Sequence, residues 1–277
     1  PDFAAVKTAI EPTHFDGVRD LATGGSYLWR HRIARASLAW ETDDWRGIAG
    51  RQRIAWGSGR IWNPTDRFNP TSATALESGQ KTGSDALFAE RYVGPFGALQ
   101  MVAAPGRAKR NVSRKLALRW RDTIRESDYA VLVGAIEKEP IAGLDVSANL
   151  FGGGLHMEAT AGWPRNAPRY AQMSLGYDVT VPAGFLEQPL SMSAEYFRNG
   201  AATGNIPIGL APDRVNSRRR DLWGLSAGYD LSFLWRASAT ALFDTQTGSR
   251  VVIPSLNWSV SQDVDVQFSG QFFSGGA

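Results

Sequence analysis

The chain has 277 residues, 30 basic and 27 acidic side chains, and a formal net charge of +3, too near zero to point to nucleic acid. Hydrophobic residues make up 43% and charged residues 21%, which excludes a disordered chain. There is no cysteine, which excludes disulfide scaffolds, thiolate catalysis and cysteine zinc sites, and no run of about 18 apolar residues could form a transmembrane helix.

No charged n-region followed by an apolar h-region opens the chain, so any secretory signal is expected to have been removed. Residues 1–25 read as an N-terminal segment, a short helix or a partial strand. From residue 26 to 277, period-two alternation dominates. It divides into segments near 27–41, 45–57, 85–93, 97–104, 113–122, 128–137, 141–151, 154–163, 169–181, 188–198, 221–233, 235–244, 250–261 and 263–273. Leu155, Met157, Ala159 and Ala161 alternate with His156, Glu158 and Thr160. Ala171, Met173, Leu175 and Tyr177 alternate with Gln172, Ser174 and Asp178. Successive strand residues point to opposite faces, so each segment has one apolar and one polar face. Turn signals separate the segments: Thr42-Asp43-Asp44, Gly94-Pro95, Gly152-Gly153-Gly154, Pro164-Arg165-Asn166 and Thr247-Gly248.

A soluble β protein buries the apolar faces of such strands, whereas a transmembrane barrel turns them to lipid and the polar faces to a lumen. Strand length favours the membrane reading. The segments match the roughly 9–11 residues that a tilted strand needs to cross a bilayer, against about 5–6 in soluble sheets. Trp45, Trp120, Trp163, Tyr196, Trp223 and Trp235 fall near segment ends, where interfacial aromatic girdles sit. The expected fold is all-β, one transmembrane antiparallel β-barrel of about 14 strands, 12–16 being admitted. A count starting at Tyr27 puts the long 58–84 connection on the periplasmic side. A strand at 2–12 would move it outside but make the count odd.

The densest motif follows the second segment. It reads Gly50-Arg51-Gln52-Arg53-Ile54-Ala55-Trp56-Gly57-Ser58-Gly59-Arg60, then Asn63-Pro64-Thr65-Asp66-Arg67-Phe68-Asn69-Pro70. A strand carrying Gly-Arg-Gln, followed by an aromatic-Gly-x-Gly turn, resembles the porin-like and alginate-export-like outer-membrane β-barrels of Gram-negative bacteria. The resemblance implies an outer-membrane barrel and admits a pore. The Asn-Pro-Thr-Asp and Asn-Pro extension departs from the alginate exporters, so their substrate is not carried over.

With Ile54 and Trp56 facing lipid, Arg51 and Arg53 face the lumen. Arg60, Asn63, Asp66, Arg67 and Asn69 are candidates for an inward-folded constriction, with Asp66 able to pair with Arg60 or Arg67. The remaining expected pore-lining residues are Lys115, Arg119, Arg121, Glu158 and Glu195. A basic wall would favour anions, while a mutually paired ladder of charges would not. The basic stretch Arg107, Lys109, Arg110, Arg114 and Lys115 could meet anionic head groups. No Gly-x-Ser-x-Gly and no triad spacing occurs, so neither catalytic residues nor a metal or other cofactor is expected.

These readings converge on a bacterial outer-membrane pore passing small polar or anionic solutes through an arginine-lined lumen. The alternative is a non-enzymatic sheath or scaffold around a periplasmic or surface protein such as a lipoprotein, an electron carrier or export machinery. The expected partners are outer-membrane lipid and a small solute, with no nucleic acid.

Overall fold

The computed structural model describes residues 14–15, 17–23, 28–69, 83–106, 113–136, 139–182, 184, 187–202 and 220–275. The chain begins with a separate hairpin, β1 (Val18–Thr23) against β2 (Leu28–Arg32). The remaining strands form one antiparallel meander in which each pairs with the next. These are β3 (Ala36–Glu41), β4 (Trp45–Gln52), β5 (Ser84–Val93), β6 (Gly97–Ala104), β7 (Lys115–Ile124), β8 (Ser127–Ile136), β9 (Glu139–Leu150) and β10 (Gly153–Gly162). They continue with β11 (Tyr170–Val181), β12 (Leu190–Asn199), β13 (Asp221–Asp230), β14 (Trp235–Asp244), β15 (Arg250–Ser261), β16 (Val264–Ser269) and β17 (Phe272–Ser274). Both β16 and β17 pair with β15, at Ser255–Ser261 and Arg250–Val252 respectively. They are therefore two pieces of one strand, interrupted at Gly270–Gln271. The sheet is not closed: β3 and β16 are its edges.

Each alternating segment of the sequence forms strand, with three departures, the first being the break of 263–273 into β16 and β17. The 27–41 segment splits into β2 and β3, which pair with different neighbours. The 45–57 segment stops pairing at Gln52, because the chain there leaves the sheet. The possible strand at 2–12, residues 70–82, Arg107, Lys109 and Arg110 lie outside the described residues.

Burial is inverted relative to a soluble sheet. Glu158, Gln172 and Ser174 are 0–1% exposed, whereas their apolar strand neighbours Met157, Met173 and Leu175 are 38–43% exposed. The inner face carries polar groups and the outer face carries the apolar ones over most of the sheet. Strands of 10–12 residues rise roughly 33–40 Å, enough when tilted for an apolar band about 25 Å tall.

The two ends of the sheet differ. One end carries the short connections 42–44, 94–96, 125–126, 151–152, 231–234 and 262–263, with 182–189 the longest. The other carries 53–83, 105–114, 163–169 and 200–220 and the shorter 137–138 and 245–249, together with the start of β3 and the end of β16. Outward aromatics mark both ends. Trp45, Trp120 and Trp235 lie toward the short-turn end, where Trp235 stacks on Trp258 at 5.1 Å and Arg91 sits 5.7 Å over Trp45. Trp163, Tyr196 and Trp223 lie toward the long-connection end, the last two in ring contact at 5.2 Å.

Candidate functional site

Beyond Gln52 the sequence cannot continue a strand. Pro64 cannot donate to a ladder, and Gly57 and Gly59 fall among four bulky apolar groups. Ile54, Trp56, Trp62 and Phe68 are all buried against the inner face. Trp56 meets Phe68 edge-on at 5.0 Å, in a cluster with Val102, Ala117, Leu132 and Ile141. Trp62 stacks on Phe197 at 5.5 Å beside Leu242 and Val251. Burying Ile54 and Phe68 contributes about 1.5–3 kcal/mol each. Ile54 and Trp56 therefore do not face lipid, contrary to the sequence expectation; the chain has already turned inward.

A segment inside the sheet must satisfy its backbone donors without a ladder. Two inner-face glutamates supply the acceptors. Glu158 on β10 accepts from Gly59 N at 2.7 Å, Thr65 N at 3.0 Å, Asn63 Nδ2 at 3.2 Å and the Thr65 hydroxyl. Glu195 on β12 accepts from the successive amides of Arg60, Ile61 and Trp62 at 2.9, 3.0 and 2.8 Å. Hydrogen bonds to an ionised acceptor are shorter and stronger than neutral ones. Gly57, at φ +93, permits the approach: a Cβ there would stand 2.7 Å from both Glu158 oxygens. On β13, Gly224 leaves the space that Ile61 and Trp62 fill.

The segment also binds itself and the wall. Asn69 N donates to Asp66 Oδ1, and Ile54 N donates to Asn69 Oδ1, both at 2.8 Å. Asp66 N donates to the Asn63 carbonyl. Thr160 donates to Pro64 O at 2.9 Å and Lys115 Nζ to Arg67 O at 2.7 Å. Arg67 is buried and donates to Gln172 at 3.2 Å and to the Tyr170 hydroxyl at 3.0 Å. Arg60, at the tip, ion-pairs with Asp178 at 3.1 Å. The five constriction candidates are thus brought together.

The arginines of the expected lining meet different fates. Arg119 pairs with Asp145 at 3.2 Å and lies 5.9 Å from the Trp56 ring. Arg121 pairs with Glu90 at 3.0 Å. Arg51 lies in register with Asp85, which alternates with the inner-face Ala86. The buried Arg51–Asp85 pair, at 2.9 Å, is thus on the outer face, bonded to the backbone of Phe15 and Ile33. Arg53 is exposed and follows the end of β4. Arg51 departs from the expected lumen position because the unbroken register of β4 puts it in phase with the outward Trp45 and Ala49, and Arg53 because it lies past the end of pairing at Gln52.

The inner faces of β14–β16 are different. Ser238, Thr240, Ser255, Asn257, Ser259 and Gln267 make a wall of hydroxyl and amide groups. Its hydrogen bonds run sideways, Gln267 to Ser255 at 3.0 Å and Ser259 to Asp265 at 2.6 Å.

Sequence reasoning missed the wall residues that hold the segment, Asp145, Thr160, Tyr170, Gln172 and Asp178. Their polar-face positions were visible, but no local signal ties a strand residue to a segment roughly a hundred positions away. No protein-family model matches the chain, and no curated protein matches it.

Proposed function

We propose that this chain forms the wall of a bacterial outer-membrane β-barrel pore, narrowed by its own residues 53–69, which passes small polar solutes. The observation that carries the reading is the inverted burial, polar inside and apolar outside, around an inward segment clamped by Glu158 and Glu195. Lipid offers no partner to backbone polar groups, so in the membrane the β3 and β16 edges must be sealed. With fourteen strand positions alternating in direction, counting β17 with β16, these edges run antiparallel to each other, the sense required for direct closure. A barrel of this size lies between the roughly 8 strands that fill themselves and the 16–18 that leave an open channel. An inward segment then sets the bore. If short turns lie in the periplasm, as in barrels of this type, the 53–83 connection lies at the outer end together with the start of β3 and the end of β16, the reverse of the count from Tyr27.

Arg119 and Arg121 are already balanced by Asp145 and Glu90, which supports polar solutes in general over anions in particular. The lumen beside β4–β13 is filled by the chain itself, which favours a constricted pore over a sheath around another protein. Liposome swelling tests the reading. Refolded protein is expected to admit small sugars and amino acids at rates that fall steeply with size, and the E158Q/E195Q variant to admit larger ones. No swelling with any solute, for either protein, would contradict it.

A further inference from the structure

Near the short-turn end, the inner face of β13–β16 carries one row of long, two-pronged side chains. Asp230, Arg236, Asn257 and Gln267 stand in register on four successive strands. The next rows toward the long-connection end are shorter: Ser238, Ser255 and Ser269, then Thr240 and Ile253. Neighbouring strands lie about 4.8 Å apart, so the long row spans roughly 14 Å. Asp230, Arg236 and Asn257 open on a cavity of about 850 Å³ that Gln188, Ser259 and Asp265 also line.

The row is anchored from both sides. Arg236 donates to Asp230 at 2.7 Å and to Ser191 at 2.8 Å. Gly228 makes room for its guanidinium, since a Cβ there would stand 2.7 Å from Nη2. Gln267 Nε2 donates to Ser255, which leaves Oε1 to accept, and the Ser259 hydroxyl holds Asp265. Between these fixed groups the half-buried Asn257 amide has no hydrogen-bond partner among the described residues. It offers two donors and an acceptor to whatever fills the cavity. The charges of Asp230 and Arg236 cancel, and Asp265 and Glu187 at the cavity wall disfavour anions.

Resting on the pore reading, we propose that this row is a binding site for neutral polyols, solutes with several adjacent hydroxyls, at the short-turn mouth of the bore. A hydroxyl donates and accepts at once, so a run of them matches a row in which guanidinium, amide and carboxylate groups stand side by side. Asn257 is the centre of the site. The remaining N–H groups of Arg236 donate to the solute, and Gln267 Oε1 and Asp265 accept from it. A few well-placed polar groups in a concave site are what orient a small ligand.

The test is a saturation-transfer NMR titration of refolded protein with sorbitol, in a detergent without a sugar head group. The controls are 1,6-hexanediol, the same carbon chain hydroxylated only at its ends, and the dianion succinate. Sorbitol is expected to bind and neither control to do so. Asn257→Ala removes no hydrogen bond within the described fold, and it is expected to weaken sorbitol about five- to ten-fold with strand content unchanged. Absence of sorbitol binding, equal binding of either control, or full affinity in N257A would each overturn the site. Conductance of the same preparation separates the two proposals. A silent protein that binds sorbitol through Asn257 would overturn the pore and keep the site. A conducting protein without binding would overturn the site and keep the pore.

Discussion

The β9–β13 wall and the β14–β16 wall share one strand grammar, apolar outward and polar inward, yet their polar faces do opposite work. On β9–β12 the inner residues are acids and amides, namely Asp145, Glu158, Gln172, Asp178 and Glu195, and they spend their hydrogen bonds on residues 58–67. On β14–β16 they include Ser238, Thr240, Ser255, Asn257, Ser259 and Gln267 beside Arg236 and Asp265, and the bonds of Gln267 and Ser259 run along the wall. A buried carboxylate is tolerated only when donors surround it, and the seven donors of the inward segment provide that surrounding. Hydroxyls carry no such penalty and can stay wet. The backbone of the inward segment therefore follows the charged wall, and the segment meets β14–β15 through Trp62 at Leu242 and Val251.

The sharpest way to break this contrast is to remove both acceptors. E158A/E195A leaves seven donors without their partners, at about 1–3 kcal/mol for each one that stays buried. The expected result is a bore enlarged several-fold in conductance and a large drop in resistance to denaturant, read by unfolding of the refolded protein. Unchanged stability would show that the glutamates do not hold the segment. A second disruption is Gly57→Val. The positive φ costs about 1–3 kcal/mol, and the new Cβ would sit where the Glu158 oxygens are. The expected phenotype resembles the glutamate variant but is smaller. The corresponding change on the hydroxyl wall, Ser255→Ala, is expected to leave stability within about 0.5 kcal/mol and to alter only solute rates.

Closure can be tested cleanly because the chain has no native cysteine. Leu38→Cys on β3, combined in turn with Val264→Cys, Val266→Cys or Phe268→Cys on β16, is expected to give one favoured disulfide in membranes. If no pair cross-links, direct closure between these edges is wrong. A small effect is also expected from Arg121→Gln. Its guanidinium is 40% exposed and its pair with Glu90 is partly solvated, so a stability change of about 1 kcal/mol or less is expected.

The strands were legible because alternation is a local property. Met157, Met173 and Leu175 announce an outward face wherever their neighbours are polar. The exit from the sheet was not, because Ile54 and Trp56 continue the apolar beat of β4 for two more steps after pairing ends at Gln52. Reading that beat as lipid-facing is what puts Arg51 and Arg53 in the lumen. Asn63, Asp66 and Asn69 announced a structured turn through their spacing with the prolines. The clamp itself pairs Gly59–Thr65 with strands almost a hundred residues later, a relation that only the fold creates.

Single-channel recording in planar bilayers tests the central claim most directly, with wild type and E158Q/E195Q measured side by side. The account predicts small, steady steps for the wild type and steps several-fold larger for the variant, as residues 53–69 leave the bore. Insertion with no conductance in either protein, or identical steps in both, would contradict a pore gauged by the clamped segment.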